Sequence, residues 1–191
     1  MKKTYLELRR TAAEVDVTEI KDSEMFDYVL ERADQNSSVL SCHRFGPFTE
    51  EKQILEETRE AEFQCTAYPS AWQLFGHNGR NCVRVVRLEA YLCDSEGEEK
   101  IASSSFRFAV RIDMLGDYGR IEGTIATVPF STLTEAVALA DRIADDSDTL
   151  TEKIQKANPD YDIQATILYA PYYEMADDNE MDYASFQKAF A

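Results

Sequence analysis

The sequence predicts an α+β fold: a mostly antiparallel sheet, made of a three-stranded meander plus a later strand, covered by helices on one face. Three observations predict it. Between residues 83 and 128 apolar side chains recur at every second position, the period of a half-buried strand. The connections between these runs are too short for the crossovers that parallel strands need. Apolar spacings of three and four residues bracket the block on both sides, which is helical periodicity.

Taken in order, Tyr5-Leu6-Glu7-Leu8-Arg9 alternates and reads as a short strand. Ser23 is a candidate N-cap, and Met25, Phe26, Val29, Leu30 and Ala33 form one apolar stripe on a helix that Asn36-Ser37-Ser38 ends. Thr49 is a second candidate cap, with Glu50 and Glu51 where the helix dipole favours acids and Ile54, Leu55, Thr58 and Ala61 on a narrow apolar face. Val83 to Cys93 is strand-like, and Asp94-Ser95-Glu96-Gly97-Glu98 turns the chain. Ala102, Ser104, Phe106, Phe108, Val110, Ile112 and Met114 then define one face of a long strand. Gly116-Asp117-Tyr118-Gly119 is the next turn, leading into a strand over Ile121 to Val128.

Helical spacing returns with Leu133, Ala136, Val137, Ala140, Ile143 and Ala144 behind Ser131 and Thr132, with Glu135 in the first turn. A short helix over Thr151 to Lys156 stops before Pro159. Tyr161, Ile163, Ala165, Ile167 and Tyr169 mark a fourth strand, and Asp182 to Phe190 a terminal helix. The whole reads as one domain over residues 1–191, helix- and loop-rich over 1–80 and sheet plus helix over 81–191.

Thirty-six Asp and Glu stand against 20 Lys and Arg, a formal charge of −16. The excess runs through every quarter of the chain: −3 over 1–50, −4 over 51–100, −4 over 101–150 and −5 over 151–191. Such a surface disfavours direct binding to phosphate backbones and docking on anionic lipid. No membrane-length apolar run and no signal-peptide core follow Met1, so a cytoplasmic protein is expected, in the host cytoplasm if it is phage-encoded.

Catalytic motifs are missing: the sequence has no Walker loop, no dinucleotide fingerprint following a strand, no G-x-S-x-G elbow and no H-E-x-x-H. The expectation is a non-enzymatic protein without a cofactor. Cys42, His43, Cys65, His77 and Cys82 offer zinc donors, but not as the close pairs zinc sites use, and buried thiols are the simpler reading. Arg84, Arg87, Arg107, Arg111 and Arg120 fall on adjoining predicted strands and could hold an anion, although Glu89, Asp113 and Glu122 are placed to neutralise them.

Two acidic stretches stand out. Asp145, Asp146 and Asp148 close a helix where its dipole disfavours acids. Glu174, Asp177, Asp178, Glu180 and Asp182 form a run without a base, beside Tyr172 and Tyr173 on one side and Tyr183 and Phe186 on the other. Neither run follows the spacing of a calcium loop. Carboxylates on a rigid scaffold compete for Arg and Lys as DNA does, and interleaved aromatics supply anchors.

The expected function is binding to a basic, nucleic-acid-handling protein or nuclease, in the way that nucleic-acid mimics of anti-restriction or anti-CRISPR type act. A small enzyme or ligand-binding domain, with a pocket between the meander and its helices, is the alternative. A third is a subunit of a larger assembly, with Trp72, Leu74 and Phe75 as an interface patch.

Overall fold

The computed structural model describes residues 3–169 and 179–191. The fold is α+β with antiparallel sheets, and it comprises two compact units, residues 1–106 and 107–191.

The first unit holds β1 (Thr4–Asp16), α1 (Asp22–Asn36), β2 (Ser38–Phe48), α2 (Glu51–Ala67), β3 (Ala71–His77), β4 (Arg80–Asp94) and β5 (Gly97–Ser103). Its strands run in the order β2-β1-β4-β3, and β5 pairs with β4 beyond the end of β3. The long strand β1 changes its buried face halfway. Leu6 and Leu8 are buried in its first half and Ala13 and Val15 in its second, so the apolar positions shift from even to odd. β4, in unbroken register with β1, does the same with Ala90 against Val83 and Val85.

Each helix covers one apolar half. α2 packs Ala61 and Cys65 onto Leu6, Leu8 and Ala90. α1 lies on the other face, where Phe26 stacks on Trp72 with ring centroids 5.7 Å apart and Val29 is fully buried. The sequence placed the helices on one face; in this unit the mid-strand change of phase draws them to opposite faces. β2 and β3, in the region read as helix and loop, are edge strands of this sheet.

The second unit holds β6 (Phe108–Leu115), β7 (Ile121–Phe130), α3 (Leu133–Ala144), α4 (Thr149–Ala157), β8 (Asp162–Tyr169) and α5 (Tyr183–Ala189). Its sheet order is β7-β6-β8, antiparallel throughout, with α3 against all three strands. Thr132 caps α3 as the sequence predicts: its Oγ1 accepts from Glu135 N and donates to Glu135 Oε2.

The long strand predicted over residues 102–114 is two strands in two sheets. Ser104 ends the first: its N–H donates to Leu88 O while its Oγ accepts from Leu88 N, and Ser70 donates to its carbonyl. Three consecutive serines offer the backbone these alternatives to a continuous ladder. Phe106 then turns into the α1 aromatic cluster, edge-on to both Phe26 and Trp72.

Candidate functional site

The acids singled out from sequence occupy three kinds of position. Glu174, Asp177, Asp178, Tyr172 and Tyr173 lie outside the described residues. Asp145, Asp148 and Asp182 have local structural work. Asp145 Oδ1 accepts from the Ser147 backbone and hydroxyl, which holds its carboxyl below the usual range. Asp148 does not close α3 against the dipole but caps the start of α4, accepting from Leu150 N at 2.8 Å, where the dipole favours it. Asp182 caps α5 through Ser185 N, and Ser185 Oγ adds a second bond. Asp146 and Glu180 are exposed and make no side-chain hydrogen bond or ion pair among the described residues.

One guanidinium links the start of α4 to the start of α5. Arg142 binds both oxygens of Asp148, Nε to Oδ2 at 2.9 Å and Nη2 to Oδ1 at 3.1 Å, and donates from Nη1 to the Tyr183 hydroxyl at 3.2 Å. Tyr183 directly follows the Asp182 cap. The hydrogen bonds from Arg142 first, and that from Leu150 N second, hold the Asp148 carboxyl down. Residues 179–181 are fixed independently, since Thr127 N donates to Asn179 O and Met181 N to Thr127 O along the free edge of β7.

The flanking aromatics within the described residues, Tyr183 and Phe186, serve the interior. Tyr183 packs against Phe130 at 5.6 Å, and Phe186 is fully buried. A depression of about 610 Å³ in this unit lies along α4 and is edged by Asp146, Thr151, Glu152 and Gln155.

Sequence reasoning missed a second constellation. Glu7 and Glu89 alternate with Leu6, Leu8 and Ala90, the residues α2 covers, and so face the other side of the sheet, yet each is only 4% exposed. Basic and aromatic side chains seal them. Arg9 Nε and Arg44 Nε donate to Glu7 at 2.8 and 2.6 Å, and Arg9 also reaches Glu98. Lys100 and the Tyr91 hydroxyl donate to Glu89 at 2.5 and 3.0 Å. The Arg9 guanidinium lies 4.1 Å from the Tyr91 ring centroid, and Arg44 stands over Tyr5.

Burial pushes the Glu7 carboxyl up, but the hydrogen bonds from Arg9 and Arg44 outweigh it and leave the group below its ordinary range. Three acids, Glu7, Glu89 and Glu98, meet three bases, so the lattice is neutral and internally satisfied. Its residues come from strands up to 89 positions apart, and only their pairing register brings them together.

The remaining candidates separate. Cys42 and His43 sit side by side on β2 and point to opposite faces, Cys65 is buried under α2, and His77 and Cys82 flank the β3–β4 turn, so these donors do not converge. The five arginines do not share a sheet. Arg84 and Arg87 lie on β4, with Arg87 bound to Asp34 of α1, while Arg107, Arg111 and Arg120 belong to the second unit, where Arg111 pairs with the fully buried Asp113 at 2.8 Å. In the proposed interface patch, Trp72 is part of the α1 aromatic cluster and Leu74 is 58% exposed.

No helix among the described residues is long and apolar enough to cross a membrane. Comparison with known proteins returns no matching family model, no matching curated protein and no matching solved structure.

Proposed function

We propose that this is a non-enzymatic acidic interaction protein that engages a basic, nucleic-acid-handling partner and blocks it, as a nucleic-acid mimic of anti-restriction or anti-CRISPR type does. The observation that carries the reading is the Arg142 junction, which holds the α3–α4 acids and the start of α5 in one place. The second unit is the more acidic, with 16 acids against 7 bases in residues 107–191. Fixed carboxylates attract a basic cleft by long-range electrostatics and lose little freedom on binding.

The test uses Asp146 and Glu180, which cap no helix among the described residues, together with Glu174, Asp177 and Asp178, which lie outside them. A variant carrying Asp146→Asn, Glu180→Gln, Glu174→Gln, Asp177→Asn and Asp178→Asn should retain its melting temperature. It should lose salt-sensitive capture of basic proteins from nuclease-treated lysate, and duplex DNA should compete with the wild-type protein for the same captured protein. Equal capture by the variant at low and high salt, or no competition by DNA, refutes the reading.

A second reading, a subunit of a larger assembly, is favoured by one observation. The edge strand β2 is exposed along residues 38–47, with Val39, Leu40 and Phe45 at 56%, 46% and 41%. Unpaired apolar edges invite strand addition. Light scattering that gives a monomer at all concentrations removes this reading.

A further inference from the structure

The tip of the β6–β7 hairpin carries a tyrosine where turn chemistry asks for something else. Tyr118 has φ +64° and ψ +21°, the left-handed region that glycine and asparagine adopt readily and a tyrosine adopts only at a cost. The other left-handed residue without glycine's freedom is Asn78, which precedes Gly79 in the β3–β4 turn and supplies the usual solution.

Nothing in the tip repays the substitution. The turn is closed by backbone bonds alone, Gly116 N to Arg120 O at 2.8 Å and Gly119 N to Gly116 O at 3.2 Å. The Tyr118 ring is 106% exposed and makes no hydrogen bond, ion pair or ring contact among the described residues. A strained side chain that supports neither turn nor core directs attention outward.

Its surroundings fit a protein partner. Leu115 pairs with Ile121 on one side and Asp162 on the other, so the ends of all three strands lie side by side below the tip. Ile121 and Tyr161 expose 47% and 37% of their surface there. Asp117, Glu122, Asp160 and Asp162 are all exposed, as is Arg120. Glu122 lies so close under the tip that a Cβ on Gly116 would meet its Cγ at 2.7 Å. An aromatic at the centre of a contact, ringed by charge, is the composition of an interface hot spot. The four carboxylates repel phosphate and anionic lipid alike, and they complement lysine and arginine.

We propose that the β6–β7 tip is a docking anchor, in which Tyr118 enters an apolar slot on a protein partner while Asp117, Glu122, Asp160 and Asp162 meet a basic rim around that slot. This rests on the basic partner proposed above and adds a contact point distinct from the Arg142 junction.

The experiment compares full-length wild type, Tyr118→Asn and Tyr118→Phe as baits for nuclease-treated lysate, followed by affinity measurement on the purified captured protein. Asparagine keeps the left-handed turn, so Tyr118→Asn should melt at the wild-type temperature or a few degrees higher. It should bind the captured basic protein about 30-fold more weakly, the loss expected on truncating a hot-spot residue. Tyr118→Phe should keep most of the affinity. A basic protein held equally by wild type and Tyr118→Asn overturns the anchor and leaves the acidic-partner reading standing. Capture of no basic protein by wild type overturns both, and a Tyr118-dependent partner without a basic surface overturns the stated partner chemistry.

Discussion

Replacing Glu7 by glutamine tests whether the lattice on the face of the first sheet away from α2 is a stability element or a set of solvated surface charges. Glutamine keeps the shape and one acceptor oxygen, but it removes the charge and turns an N–H₂ group toward the guanidinium of Arg9 or Arg44. Breaking a buried ion pair from one side costs about 3–5 kcal/mol when the orphaned charge has nowhere to go. Here Arg9 keeps Glu98 and the Tyr91 face, and the Arg44 side chain is 60% exposed and can turn to water. The cost should therefore fall to about 2–3 kcal/mol, the value of a charged hydrogen bond lost in a buried setting.

Urea denaturation at pH 7 reads it directly, and pH supplies a second check. The Glu7 carboxyl lies below its ordinary value of 4.5 in the folded protein, so its contribution is complete above that value and is lost as pH falls through the lowered one. The gap between wild type and Glu7→Gln should be full at pH 7 and should shrink on acidification below about pH 4.5. A difference under about 0.5 kcal/mol at pH 7, typical of exposed pairs, refutes the burial argument. So does a gap that widens in acid.

Three further outcomes follow from the same structure. Asp148→Asn keeps an α4 cap but loses the Arg142 pair, and Asp148→Ala loses both, so melting temperature should fall in the order wild type, Asn, Ala. Because the Asp148 carboxyl is held below its ordinary 3.8, the gap between wild type and Asn should close only as pH drops beneath this value, while the Asn-over-Ala difference persists. Burial pushes the Cys65 thiol up, and its Sγ donates to Leu88 O, so a thiol reagent should label Cys42 in the native protein and Cys65 only on unfolding. Gly46→Ala should cost about 1–3 kcal/mol in a thermal melt, since φ is +111° and the added Cβ would meet Thr4 O at 3.0 Å and Phe48 N at 3.1 Å.

Where a single period runs unbroken, the sequence was readable. α3 with its Thr132 cap, β7, β8 and the terminal helix fall where spacing places them. The failures share a cause. β1 was legible only as Tyr5 to Arg9 because its buried face moves from Leu6 and Leu8 to Ala13 and Val15, and a strand that changes face looks like a strand that has stopped. β2 hides for the opposite reason: almost nothing along it is buried, so burial imposes no alternation on Ser38–Phe48. The serines at 103–105 preserve period two across a break between sheets, since a hydroxyl bonded to backbone looks like any other polar position. The Glu7 lattice depends on register between strands some 85 residues apart, and no local spacing encodes that.

The capping roles of the acids bear on the functional reading in a way that cuts against treating structure and recognition as rivals. An Asp that caps a helix keeps its charge, and the bonds from Ser147 and Ser185 hold the Asp145 and Asp182 carboxyls below their ordinary range. Those same bonds fix where the carboxylates stand, and so remove part of the ordering cost a flexible acidic tail incurs on binding. Asp148 differs, because Arg142 neutralises it within the molecule. Among the described residues, the acids of these two stretches without a basic partner are therefore Asp145, Asp146, Glu180 and Asp182. Asp148 instead ties the start of α4 to Arg142. If that division is right, Asp148→Asn should weaken capture only as far as it loosens the junction, while neutralising Asp146 and Glu180 should weaken it with the fold intact.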